Sequence, residues 1–280
     1  MGHRQSVSAR GHRGYAAAMN RLRRKLAIAS WGSPREGNIY GKLTIDASAA
    51  LRYIEEARAT SGERVTLTHL VGRAVAEALR RSPGLNGFLR FGTYHPRKTV
   101  DVTFLVSLEE GGDLAKAKVS QADGKSPVDI ARELSQLAGR LRKGEDEAFE
   151  KGKGVVRLLP TWVLRPILWL TGWVTGSLGL NFMGQERFPF GSCIITSVGM
   201  FGLDEGFVPQ TPFARVPLYV LIGAVRDQPV VHEGQVVIRP LLTLTATLDH
   251  RFVDGFEGGV LARTVSEVMA DPWVLDRPRT

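Results

Sequence analysis

Cysteine is almost absent from this chain. The single thiol, Cys193, rules out an internal disulfide and leaves no thiolate cluster for a metal. It sits in a strand-like run, which predicts a buried, inert thiol rather than a nucleophile, and the shortage of cysteine suits a reducing, cytoplasmic setting. Acids are missing from the first 35 positions, where Arg4, Arg10, Arg13, Arg21, Arg23, Arg24, Lys25 and Arg35 all precede Glu36. A basic arm over residues 1–36 could attract nucleic acid, an anionic membrane or phosphate groups, and it has the Arg-rich, acid-poor look of an organellar transit peptide. No apolar run of roughly 7–15 residues follows the charged start, which argues against secretion. The chain also lacks Gly-x-Ser-x-Gly, Ser-x-x-Lys, a Walker loop, G-x-G-x-x-G and any repeat of fixed period. Serine-hydrolase and nucleotide-loop readings therefore have nothing to rest on.

What is present describes a globular chain. Its 280 residues, 43% hydrophobic and 23% charged, can bury a substantial core in one large domain or two small ones. Residues 39–46 alternate as a strand and 47–60 read helical. Thr68 is the expected cap of a helix with an apolar stripe through Leu70, Val71, Ala74, Val75, Ala78 and Leu79, stopped by Pro83 and Gly84. Residues 100–108 form a β-rich run closed by the turn signal at 109–112. Ser126 and Pro127 open another helix with cap and first-turn proline in their favoured places. Strands follow at 192–198, 218–225 and 241–248, with a short hairpin partner at 236–238 and a last helix at 256–270. This irregular alternation predicts an α/β fold, a mixed β-sheet flanked by helices.

Residues 154–188 stand apart. From Pro166 to Gln185 no residue is charged, and Trp169, Leu170, Trp173 and Val174 make the run strongly apolar. Glycines, threonines and Asn181 dilute it, and Gly172 and Gly176 have the spacing that permits close helix contact. Three readings are open: packing within an oligomer of this chain, lying on a membrane surface, or spanning a bilayer.

The densest chemical signal lies near the C-terminus. The strand-like run Leu244-Thr245-Ala246-Thr247-Leu248 ends in Asp249-His250-Arg251-Phe252-Val253-Asp254-Gly255. A histidine at a strand end can be held in one tautomer, as a base that deprotonates a thiol requires. Asp254 four residues on reads either as part of that site or as the cap of the next helix. The remaining histidines, His3, His12, His69, His95 and His232, read as structural or solvated. A second polar segment is Ile195-Thr196-Ser197-Val198-Gly199-Met200-Phe201-Gly202.

Together the two segments resemble the signatures of the dihydrolipoyl acyltransferases, the core subunits of 2-oxo acid dehydrogenase complexes, whose fold relative is chloramphenicol acetyltransferase. The resemblance extends loosely over residues 39–275. It implies a chloramphenicol acetyltransferase-like domain over residues 37–280, with the apolar helical segment as an insertion. It further implies a coenzyme A-dependent acyltransferase in which His250 is the general base and Thr196 donates to the oxyanion. Asp254 would order the loop behind the histidine, often with an arginine from the N-terminal segment (here Arg21, Arg23 or Arg24). Gly255 would let the backbone turn, and Arg251 is either a solvated charge or a contact to coenzyme A phosphates. Thr196 as an ordinary strand residue is the plainer alternative.

The implied assembly is a homotrimer, or a larger multiple of three, with His250 of one subunit facing Thr196 of another. In cage-forming relatives a C-terminal apolar anchor joins trimers, and Trp273-Val274-Leu275 is the candidate here. The residues before Ile39 are too few for a lipoyl or subunit-binding domain, so either lipoyl groups come from another chain or the acyl acceptor is something else. Contact with a membrane surface would fall to 154–188, and no nucleic-acid partner is expected. The competing reading is a catalytically idle scaffold that organises partner proteins or a membrane surface.

Overall fold

The computed structural model describes residues 37–108, 113–143, 154, 156 and 158–277. The basic arm with Arg21, Arg23 and Arg24, the turn signal at 109–112 and the last three residues lie outside them.

Thirteen helices and strands of regular form are described. In chain order they are β1 (Asn38–Asp46), α1 (Ser48–Ser61), α2 (Leu67–Arg81), β2 (Gly87–Arg90), β3 (Thr93–Pro96), β4 (Val102–Leu108), β5 (Asp113–Val119), α3 (Pro127–Arg142), α4 (Thr161–Gly172), β6 (Cys193–Ser197), β7 (Leu218–His232), β8 (Gln235–Asp249) and α5 (Gly255–Ala270). Six strands form one sheet in the order β1-β8-β7-β6-β4-β5. The β4–β6 and β6–β7 pairs are parallel and the rest antiparallel, so the sheet is mixed, as predicted. β2 and β3 make a separate hairpin.

Strand alternation sends two different sets of side chains to the two faces. Leu43 and Ile45 of β1, Val102 and Phe104 of β4, Cys193 and Ile195 of β6, and Leu242, Leu244 and Leu248 of β8 join the main core. Against them pack α1, α2, α3 and α5, whose apolar stripes match. Gly72 lets α2 lie flat on the sheet, because a Cβ there would come within 2.4 Å of the Phe104 ring. The opposite face carries Thr103, Thr243, Thr245 and Thr247, all buried, beside a small cluster of Ile194, Ala214, Val216 and Tyr219. Chain segments rather than regular helices close this side. Thr103 donates to Phe190 O at 3.0 Å, Thr245 donates to Gly206 O, and Lys116 reaches Gln185 at 2.9 Å.

Several local expectations need correction. Thr66, not Thr68, caps α2, since its backbone N–H donates to His69 Nδ1 at 3.0 Å and closes a capping box. His95 lies on β3 and stacks on Phe88 at 5.4 Å rather than sitting in a turn. Residues 236–238 are not a separate short strand. They begin β8, which pairs with a β7 that runs on to His232. The β2–β3 hairpin and β5 were not foreseen. The 154–188 segment does contain helix, but α4 is only 12 residues long, holds Pro166 inside it, and passes into a π-helical turn at Trp173–Leu178. Among the described residues no helix is long and apolar enough to cross a membrane. The close approach foreseen for Gly172 and Gly176 is real but internal. A Cβ at Gly172 would sit 2.2 Å from Phe213 O, and one at Gly176 would sit 3.1 Å from Arg215 Cβ. Trp273 likewise turns inward: its indole donates to Glu56 at 2.8 Å and its ring meets Tyr53 edge-on.

Candidate active site

β8 delivers His250 to the surface at the corner where the sheet meets α5. The strand's last residue, Asp249, is held in register by Asn38 of β1, and the His250 N–H donates to Gly37 O at 3.1 Å. The chain then folds back on itself, with Phe252 N–H donating to Asp249 O at 2.9 Å. Val253 is buried, while Phe252 packs edge-on against Tyr94 of β3. These anchors place Val253 O 2.7 Å from His250 Nδ1. A carbonyl oxygen can only accept, so Nδ1 carries the hydrogen and Nε2 keeps the lone pair. The ring is thus fixed in the tautomer that can take a proton at Nε2.

Asp254 follows as the N-cap of α5. It accepts from Phe256 N–H at 2.7 Å and Glu257 N–H at 3.4 Å, and Glu257 returns an acceptor to the Asp254 N–H at 3.2 Å. Hydrogen bonding with the Glu257 side chain, then with these two backbone N–H groups, and last the charge of His250 hold its carboxyl below the usual range. Its place is the cap of the helix that follows the histidine turn. The turn itself is made by Asp254 in extended backbone, and Gly255 is simply the first helical residue. A Cβ on Gly255 would meet nothing within 4 Å, so the expected need for glycine there does not hold within this chain. Arg251 is ion-paired rather than a free solvated charge, with 49% of its side chain exposed. Its Nε and Nη2 grip the buried Asp249 carboxylate at 2.9 and 2.5 Å, neutralising a charge that the strand end takes out of water.

Thr196 stands elsewhere. It lies half-buried on β6, facing away from the helices with Ile194, and pairs with Leu221 of β7, which in turn pairs with Thr245 of β8. His250 is two strands across and five positions along from there, a separation of roughly 20 Å at ordinary strand spacings. One chain therefore does not bring His250 and Thr196 together. It brings together His250, Val253, Asp254, Glu257, Asp249 and Arg251.

Two polar atoms near this corner went unnoticed in the sequence. Asn38 Oδ1 and Thr247 Oγ1 are buried without a hydrogen-bond partner among the described residues. Nothing local marks them, since a strand asparagine or threonine becomes notable only once its neighbours are known. Glu257 had a legible signal, the Asp-x-x-Glu spacing of a capping box. Cys193 is fully enclosed and its thiol is pushed up by burial, as an inert thiol should be. His69 is pushed down to about 4 by burial and the charge of Arg58, which suits its capping role.

A family model for the 2-oxoacid dehydrogenases acyltransferase (catalytic domain) matches residues 19–154 and 183–276. Among curated proteins, the probable dihydrolipoyllysine-residue succinyltransferase component of the mitochondrial 2-oxoglutarate dehydrogenase complex of Schizosaccharomyces pombe is 24% identical over 265 residues, 91% of this chain and 49% of the relative. The chain spans about half the length of the curated relatives it matches. Two solved structures share the fold at a TM-score of 0.63. One is a probable dihydrolipoamide acetyltransferase from Listeria monocytogenes (17% identical, covering 96% of this chain and 95% of that one). The other is the cubic core of a pyruvate dehydrogenase multienzyme complex (18%, 99% and 96%).

Proposed function

Because this chain belongs to the family of 2-oxoacid dehydrogenase acyltransferase catalytic domains, we propose that it moves an acyl group between coenzyme A and a thiol such as dihydrolipoamide. The observation that carries this reading is the His250 Nδ1 contact to Val253 O, which leaves Nε2 as a proton acceptor at an exposed strand end. Nε2 takes the proton as the acceptor sulfur forms its bond to the thioester carbonyl carbon. The resulting oxyanion receives a hydrogen bond from the Thr196 hydroxyl. As the carbonyl re-forms, the bond to the coenzyme A sulfur breaks and that sulfur takes the proton back from His250.

With the two groups held apart within one chain, the hydroxyl would be a neighbour's contribution and the working unit a trimer or a multiple of three, with Thr196 supplied across each interface. The fold shared with a cubic acyltransferase core supports that assembly. The dihydrolipoyl group would be presented on a separate domain or chain.

The test is thioester formation from acetyl- or succinyl-coenzyme A and free dihydrolipoamide. Activity absent from His250→Ala is expected, and no turnover above that variant would leave only the scaffold reading. Mixed particles of His250→Ala and Thr196→Val subunits should regain activity, because random assortment puts an intact histidine opposite an intact threonine at about a quarter of the interfaces. Without any regain, the cross-subunit arrangement is wrong.

A further inference from the structure

The β2–β3 hairpin takes no part in the six-stranded sheet, yet it leans on the loop that holds His250. Both ends of that loop are fixed by backbone, since Asp249 closes the β1–β8 ladder and Asp254 caps α5. Between them the place of Val253 O depends on side-chain packing. Val253 is buried in the main core, and Phe252 meets the Tyr94 ring edge-on with centroids 6.1 Å apart. Tyr94 is placed by contacts of its own. Its hydroxyl donates to Pro83 O in the turn that follows α2. Its ring lies across Gly87 of the paired strand, where a Cβ would come within 2.1 Å of it. A Cβ on the next residue of that turn, Gly84, would lie 3.4 Å from Oε1 of Glu257, which completes the Asp254 cap. The rest of the hairpin is braced as well. Phe88 stacks on His95 and lies 4.7 Å from Phe188 between centroids, Arg90 donates to Leu178 O at 3.4 Å, and Phe91 meets Trp173 edge-on at 6.4 Å. Trp173 and Leu178 belong to the stretch between residues 154 and 183 that the family model leaves unmatched. The hairpin is thus a strut, with that stretch at one end and the histidine loop at the other.

We infer that Tyr94 is a positioning residue for His250, a role that rests on the acyl-transfer reading of the site. Its ring stops Phe252 from swinging outward and so keeps Val253 O within reach of Nδ1. Nδ1 then holds its hydrogen and Nε2 presents the lone pair. Tyr94 acts through Phe252 and one carbonyl rather than on the reacting atoms. Without the stop, the carbonyl drifts and the neutral imidazole divides between its two tautomers, of which only one offers a base at Nε2. The hydroxyl bond to Pro83 O sets where the ring sits, while the ring itself does the blocking.

The experiment follows the imidazole directly, by the solid-state nitrogen spectrum of the sedimented full chain with isotope-labelled histidine. The His250 signals are those lost in His250→Ala, and in mildly alkaline buffer the wild type should show the hydrogen on Nδ1. In Tyr94→Ala both ring nitrogens should shift towards a tautomer average. Its kcat should fall roughly 10–10²-fold, as misplacement of a catalytic group does, with KM for either substrate little changed. Tyr94→Phe keeps the ring and should retain the spectrum and most of the activity. Gly87→Ala, whose methyl displaces the ring from the opposite strand, should reproduce Tyr94→Ala and covers the case in which that variant fails to fold. An unmoved His250 spectrum in either folded variant overturns the proposal, and so does a loss of melting temperature with spectrum and kcat intact. A wild-type chain without acyl transfer defeats the acyl-transfer reading alone, because the spectrum decides for or against Tyr94 without any turnover.

Discussion

The two faces of the six-stranded sheet are built on different principles. The helix-covered face is a continuous apolar layer in which Phe104, Ile195, Leu218, Leu242 and Met269 are each almost wholly enclosed. Non-directional burial holds that layer together, and any well-filled volume satisfies it. The other face is lined with threonines, of which Thr103 and Thr245 donate to backbone carbonyls in irregular segments, Phe190 O and Gly206 O, while Thr247 Oγ1 is buried without a hydrogen-bond partner among the described residues. Each hydroxyl there needs one partner in one place. The difference teaches where chemistry can be accommodated. Thr196 stands on the directional face, and His250 stands at the corner where the apolar layer ends.

Substitutions can break this contrast or sharpen it. His250→Ala should cost the most, roughly 10²–10⁴-fold in kcat/KM, with the urea midpoint little changed because the side chain is exposed. Phe104→Ala should cost about 3–5 kcal/mol in urea unfolding, with the activity of the remaining folded protein preserved. Thr196→Val keeps the shape and removes the hydroxyl. It should lower kcat by roughly 10²–10³ without moving the melting temperature, whereas Thr196→Ser should retain most activity. If Thr196→Val destabilised as Phe104→Ala does and left kcat intact, the two faces would not differ in the way described.

Acid provides a further probe of the helical layer. Burial works against the Glu77 carboxylate, but hydrogen bonds from Arg80 and Arg81 and the charge of Arg73 outweigh it and hold the group at about 2. A folded value below the ordinary one stabilises the fold above the unfolded carboxylate range, and that contribution is lost as pH falls towards 2. The melting temperature of the wild type should therefore drop more steeply between pH 4.5 and 2 than that of Glu77→Gln. Asp254→Ala should show the smallest effect on stability, a slight fall in melting temperature for the lost cap. Its activity should fall further than that loss explains, because α5 anchors the loop that carries Val253 O. Asp254→Asn, which still caps, should recover both.

Residue pattern alone determined much of this molecule. Apolar periodicity marked α2, α3 and α5, alternation marked β1, β-rich runs marked β4 and the strands at 218–225 and 241–248, and the strand-end histidine was legible with its following aspartate, because these features depend on neighbours within a few positions. Only the tertiary structure decided that Arg251 serves Asp249, that Gly255 meets open space, and that Gly172 and Gly176 back onto Phe213 and Arg215. The same holds for the β2–β3 hairpin, too short to show a period. The His250 tautomer rests on one carbonyl brought into reach by a folded turn, and the distance to Thr196 rests on strand order. Such facts join residues far apart along the chain, and no local pattern of side chains encodes which distant backbone will lie against them.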